Sequence, residues 1–263
     1  MSFVENQGTK IYWDEQGQGA PVLLIMGLGY TSAMWYRTRP ALAQHFRTIA
    51  FDNRGVGLSD VPPGPYPIAT MASDAAAVLD AAEVSSAHIF GVSMGGMIAQ
   101  EFALQYPART QSLILGCTSP GGPSAVRAER KVSDILMVRG MSLEQAREAI
   151  LPYIYDAATP PEKIDEDVRL RRRWLPSLEG YTAQLQGILA WESYGRIAQI
   201  TAPTLVHPWE VGCSRATRKW GIDRGADSRC KARPTRSCQS SVSHRPDPGS
   251  SQGNTGISFV PCG

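Results

Sequence analysis

Residues 21–26 form an unbroken apolar run, Pro-Val-Leu-Leu-Ile-Met, that stops at Gly27. A run that short and uniform is the pattern of a strand buried on both faces. Residues 47–51, 87–91 and 111–115, shorter apolar stretches broken by a polar residue or two, read as three further strands. Between these runs the apolar spacing lengthens to helical: residues 36–46, the alanine-rich 69–82, and 94–106, closed by Pro107. Upstream, residues 3–7 and 10–15 flank Gly8-Thr9 as a hairpin. Alternation of strand and helix predicts an α/β fold with a mostly parallel sheet and helices on both faces. Residues 124–197 break the alternation and read as helices only, at 142–155, 161–174 and 180–193. Residues 200–206 then return to the sheet. An all-helical insertion there is expected to cap the carboxyl ends of the strands, where open α/β sheets place their ligands.

Composition refines this at one place. The chain has 263 residues, 43% hydrophobic and 19% charged, enough for one sizeable domain and too apolar for intrinsic disorder. Yet residues 207–263 contain no Leu, Met or Tyr and hold four of the five cysteines, Cys213, Cys230, Cys238 and Cys262. That span has nine Lys/Arg against four Asp/Glu, while the preceding residues have 17 against 20. The formal net charge of +2 therefore belongs to the tail. So few large aliphatics cannot build a core, and a poorly ordered tail is expected. The organisation predicted is a core over 1–123, a cap over 124–197, a return strand over 198–206 and an atypical tail over 207–263. The first residues carry neither a basic nor an apolar leader, and no apolar run is long enough to cross a bilayer. A cytoplasmic protein that does not engage membranes is the expectation.

The chemistry concentrates in Gly91-Val92-Ser93-Met94-Gly95-Gly96, between a strand and a helix. This is G-x-S-x-G in strand–turn–helix context. The turn is so tight that the serine takes a strained backbone conformation and its neighbours two residues away must be glycine. Its hydroxyl is thereby held clear of the sheet at the positive end of a helix, with the Met94 N–H aimed where an oxyanion would form. The same pattern occurs by chance in loops, so its context carries the argument. Met26-Gly27-Leu28-Gly29 ends the first buried strand and can present the Leu28 N–H as a second donor, although an ordinary glycine turn would read the same way. Asp52-Asn53-Arg54-Gly55-Val56-Gly57-Leu58-Ser59 follows the second buried strand. Asp52 and Arg54 are expected to pair and pin that loop, without a catalytic role.

With these motifs in order, residues 22–206 resemble the α/β-hydrolase fold superfamily, in the branch of small cofactor-free esterases, enol-lactone hydrolases and perhydrolase-type proteins. The resemblance implies Ser93 as nucleophile, Leu28 and Met94 as oxyanion donors, and the helical insertion as a substrate lid. It implies no cofactor and no metal. A small carboxylic ester or lactone is the implied substrate.

The resemblance also implies an Asp soon after the strand ending at Val206, then a His and a closing amphipathic helix. The chain reads His207-Pro208-Trp209-Glu210-Val211-Gly212-Cys213 instead, and no Asp follows Cys117-Thr118-Ser119 either. A frame error accounts for this. Read one base later, the codons of residues 207–210 can spell Ile-His-Gly-Lys, the Gly being forced by the single Trp codon. Gly212-Cys213 can then spell Asp, Gln239-Ser240-Ser241 can spell Ser-His, and residues 253–260 an amphipathic helical string. Residues from about 207 onward therefore read as out of frame relative to an ancestral hydrolase. Comparison of this region of the gene with close homologous genes tests that: no single-base indel, no frame error.

Of the histidines as written, His45 at a helix end and His88 in a strand read as structural, and His207 as a loop residue. His244 lies near the expected position of the base but beside Arg245-Pro246-Asp247-Pro248, a turn-like setting. Asp223, Asp227 and Asp247 are looser still as acids. The tail cysteines show no C-x-x-C spacing and read as free thiols. The basic stretch 215–236 has one aromatic, Trp220, and no amphipathic period, so nucleic acid is not an expected partner. Met141, Leu151, Tyr153, Trp174, Leu185 and Trp191 could line an apolar pocket or simply pack the cap. Three readings remain open: a serine hydrolase weakened by its missing base and acid, a non-catalytic small-ligand-binding protein on the same scaffold, and the unstable product of a damaged gene.

Overall fold

The computed structural model describes residues 2–123, 125 and 128–207. Within them a seven-stranded sheet runs in the order β1-β2-β4-β3-β5-β6-β7. β1 (Ser2–Asn6) and β2 (Thr9–Gln16) form the expected hairpin, and β2 is also antiparallel to β4 (Phe46–Phe51). All other pairings, through β3 (Ala20–Ile25), β5 (Ala87–Val92), β6 (Thr110–Gly116) and β7 (Thr204–His207), are parallel. The continuous apolar runs are explained by burial on both sides. Leu23, Ile25, Ile49 and Phe51 face a large core cluster, while Val22, Leu24 and Ala50 face a second one built on Trp35. Two helices, α2 (Ile68–Ala81) and α3 (Met94–Gln105), cover the larger side.

The helix expected over 36–46 is a correction. A 3₁₀ segment at Ser32–Arg37 precedes a single turn, α1 (Arg39–Leu42), with Pro40 in its first turn. Trp35, 4% exposed, is drawn onto the sheet, and the Arg39 guanidinium reaches back to the Asp14 carboxylate and the Thr48 carbonyl. Tertiary contacts override the local helical period here. The seventh strand is also shorter than expected. His207 belongs to it, paired in register with Gly116, and is not a loop residue.

Among the described residues five α-helices lie between β6 and β7: α4 (Arg130–Leu136), α5 (Leu143–Ala149), α6 (Leu151–Ile154), α7 (Pro161–Arg173) and α8 (Leu178–Ala190). Only α4 has no counterpart in the sequence reading. α5 starts on a full capping box between Ser142 and Gln145, and Ser177 caps α8 through the Gly180 N–H. No helix among the described residues is long and apolar enough to cross a membrane. The tail cysteines, His244, Asp223, Asp227, Asp247 and the basic stretch lie outside the described residues.

Candidate active site

β5 passes into α3 through one residue, Ser93, whose backbone is at φ 57° and ψ −121°. An L-residue adopts that conformation only when its surroundings hold it there. The hold is visible. The Ser93 N–H donates to the Gly116 carbonyl at 2.9 Å, and the Ser93 carbonyl accepts from the Thr118 hydroxyl at 2.7 Å and from the Gly96 N–H at 2.9 Å. The glycines two residues to either side are forced by space. A Cβ on Gly91 would lie 2.1 Å from the Gly95 carbonyl oxygen, and one on Gly95 would lie 2.1 Å from that of Ile25. The Ser93 side is left exposed.

The turn after β3 runs beside this hydroxyl. A Cβ on Gly27 would be 3.1 Å from Ser93 Cβ and 3.5 Å from Ser93 Oγ. The turn closes on itself through Tyr30 N–H to the Gly27 carbonyl at 3.3 Å. Two side chains fix it from outside: Asn53 Nδ2 donates to the Met26 carbonyl at 3.0 Å, and Gln184 Oε1 accepts the Gly29 N–H at 2.9 Å. Gln184 also donates from Nε2 to the Arg54 carbonyl at 2.8 Å. Fully buried in α8, it joins the helical insertion to both loops. Neither the Leu28 N–H nor the Met94 N–H has an acceptor among the described residues. Two free donors beside an exposed hydroxyl can receive the oxygen of a carbonyl under attack.

The expected Asp52–Arg54 pair is a second correction. Asp52 instead accepts from the Ser32 N–H, the Ser32 hydroxyl and the Leu58 N–H. Burial pushes its carboxyl pKa up, and those donors oppose the rise. Arg54 reaches α2, where it grips both oxygens of Asp74 at 2.6 Å. The loop is pinned as expected, but each residue does so separately. Side chains two apart in an irregular loop need not face each other, and Asp74 lay hidden in an apolar helical pattern.

No hydrogen bond reaches Ser93 Oγ from any described residue. His45 lies in the turn between α1 and β4. His88 is five residues upstream of Ser93 along β5, about 16 Å at strand rise, and its Nδ1 is bonded to Ser112 Oγ at 2.8 Å. Burial lowers its pKa. His207 ends β7, two strands from β5 and so about 10 Å away. Among the described residues no group of three His, Cys, Asp or Glu is placed to hold a metal ion.

Of the apolar residues of the insertion, Met141 and Tyr153 pack around Ile135, Ala146 and Ile150. Trp191 enters the main core and donates to Glu101, while Trp174 is 37% exposed. Gln184 escaped the sequence reading altogether. The available signal was the small-residue face Gly180, Ala183 and Gly187 of α8, which lets that helix approach the loop of Gly55 and Tyr66. Truncation by Gln184→Ala leaves a buried N–H and a buried carbonyl unpaired. The expected cost is about 2–5 kcal/mol, checked by thermal unfolding.

Comparisons with known proteins agree with this geometry. The sequence model of the alpha/beta hydrolase fold matches residues 20–147. The protein named "Putative carbamate hydrolase RutD" of Variovorax paradoxus is 32% identical over 193 residues, 72% of each chain. A hydrolase from Pseudomonas aeruginosa superposes with a TM-score of 0.65 at 30% identity, covering 78% of both chains. The enol-lactonase from Burkholderia xenovorans gives 0.69 at 25% identity, covering 78% of this chain and 80% of that one. With this elbow, turn and sheet order, the chain belongs to the α/β-hydrolase fold family.

Proposed function

We propose that the chain is a hydrolase of small carboxylic esters or lactones acting through an acyl-enzyme on Ser93, slow as written because no described residue is bonded to Ser93 Oγ as its base. The observation that carries this is the strained, exposed Ser93 beside two unoccupied N–H donors, those of Leu28 and Met94. Strain of that kind costs free energy and is retained where it serves chemistry. Ser93 Oγ attacks the carbonyl carbon and its proton passes to water. The two N–H groups hold the oxyanion, the C–O bond breaks as the departing alkoxide takes a proton back from water, and a second water molecule then attacks the acyl carbon, releasing the acid as Ser93 Oγ regains a proton. α4–α8 serve as the cap under which the substrate is held. The enol-lactonase among the similar structures favours this substrate class.

A serine without its base retains only the acceleration supplied by the oxyanion donors and by binding, about 10³–10⁴-fold over water. The lack of any hydrogen bond to Ser93 Oγ from a described residue also favours the second reading, a ligand-binding protein on this scaffold. Reaction with a fluorophosphonate separates the two. Intact-mass spectrometry is expected to show one slowly formed adduct, absent in Ser93→Ala. A folded chain that never labels would leave the binding reading standing alone.

A further inference from the structure

The two fully buried arginines among the described residues each have a carboxylate, Arg54 with Asp74 and Arg39 with Asp14. Arg147 on α5 and Arg171 on α7 do not: neither belongs to an ion pair within 4.0 Å among the described residues. Both are partly buried, and both converge on one ring. Their Cζ atoms lie 5.9 and 4.8 Å from the centroid of Tyr30. Burial lowers the pKa of Arg147, and Arg171 adds to that effect. Glu144, exposed on the same helix, is the carboxylate whose field reaches Arg147, without pairing.

Their donors are only partly used. Arg147 Nη2 donates to the Arg171 carbonyl at 3.4 Å, while Arg147 Nη1 and Arg171 Nε are buried with no acceptor among the described residues. Arg171 Nη2 donates to Tyr155 Oη at 2.8 Å, and that hydroxyl donates to Asp167 at 2.7 Å. Asp167 is already occupied by Tyr36 and Arg37 as well, so it has little to offer Arg171. Two neighbouring cations with unpaired buried N–H groups are costly, and an anion between them removes the cost. A cavity of about 40 Å³ between α5 and α7 is lined by Arg147 and Arg171, its other charged walls being Glu144 and the Arg172–Glu148 pair, and it has room for a group of a few heavy atoms. Tyr30 is the last residue of the turn that carries Leu28, and its N–H closes that turn. An anion held on these guanidinium groups is therefore tied through Tyr30 to the turn that carries the Leu28 donor.

We propose that Arg147, Arg171 and Tyr30 form a carboxylate subsite, so that the substrate is an ester or lactone carrying a second, free carboxylate. A planar carboxylate suits guanidinium forks, which donate in parallel pairs. The substrate assignment rests on the acyl-enzyme reading; the anion subsite itself does not.

The test compares monomethyl glutarate, which has one free carboxylate, with neutral dimethyl glutarate, by thermal unfolding of the intact chain and of Ser93→Ala. At about tenfold over Kd the monoester is expected to raise Tm by about 3–6 °C in both proteins, and the diester to leave it unchanged. Arg147→Gln and Arg171→Gln should each lose the monoester response. Arg147→Gln, whose only hydrogen bond among the described residues is the 3.4 Å contact to the Arg171 carbonyl, should leave the Tm of the ligand-free protein within about 2 °C of the parent, whereas Arg171→Gln also gives up its bond to Tyr155. Equal responses to the two probes, no response to the monoester, or a response preserved in both arginine variants would overturn the subsite. The probe comparison on the unaltered chain decides this even if a variant fails to fold. A selective response without fluorophosphonate labelling would leave the subsite and sink the acyl-enzyme. Labelling without a selective response would do the reverse.

Discussion

Shifting the reading frame by one base after the codon of Val206 should raise kcat/KM for p-nitrophenyl acetate by about 10³-fold or more. The size follows from how serine nucleophiles work. A hydroxyl attacks well only when a neighbour takes its proton; removing the base alone costs about 10⁶ in kcat, and removing the acid alone about 10⁴. In the chain as written, no described residue is bonded to Ser93 Oγ, while the elbow and both free N–H donors are in place. The shifted frame can spell His-Gly after β7, an Asp three residues on, a later His and an amphipathic helix. The end of the sheet points the same way. Leu205 and Val206 on β7 are 53% and 37% exposed, whereas Leu113 and Leu115 on neighbouring β6 are 0% and 5%. A strand of that composition is built to be covered, and the shifted frame supplies apolar sequence to cover it. Tm should therefore rise together with activity. A folded, frame-shifted protein no faster than the original would end both the frame argument and the role given to Ser93.

The second large effect is expected at Gly95. Substitution by Ala places a methyl group 2.1 Å from the Ile25 carbonyl oxygen and 2.8 Å from that of Met26. Both are backbone atoms at the end of a central strand, so no rotamer change relieves the clash. Either α3 or the turn bearing Leu28 must move. Overpacking a core with a flexible neighbour costs about 1–3 kcal/mol; with backbone on both sides the cost should be about 3 kcal/mol or more. Thermal unfolding should show a fall of about 6 °C or greater, and labelling of Ser93 should be lost with it. Gly195→Ala is the control, since a Cβ there meets nothing within 4 Å, and its Tm should stay within about 2 °C of the parent. Matching melting points for the two variants would mean that the elbow is not held as tightly as its geometry implies.

Much of the core could be read before the fold was known, because the inner strands are buried twice over. A run such as Val22-Leu23-Leu24-Ile25 has apolar partners on each face, so no polar position interrupts it and its boundaries stand out. The elbow was legible for a different reason: its steric demand falls on residues only two positions away, so the glycines it needs are written beside it. The helix expected over 36–46 failed where Pro40 and the pull of Trp35 toward the sheet outweighed local spacing. α4, seven residues long, was too short to leave a period.

The chain itself determined the order of strands and helices, the place of the insertion, and the single serine on which a reaction could turn. Each of these depends on backbone period or on contacts between near neighbours. Only the folded molecule decided that Arg54 meets Asp74 and not Asp52, that Gln184 holds a turn 155 residues away, and that two arginines of the insertion converge on Tyr30. The reason is physical. A local pattern states which face of an element will be buried, but not which other buried face it will meet. Polar partners are chosen by that meeting, after the apolar surfaces have fixed how the elements pack.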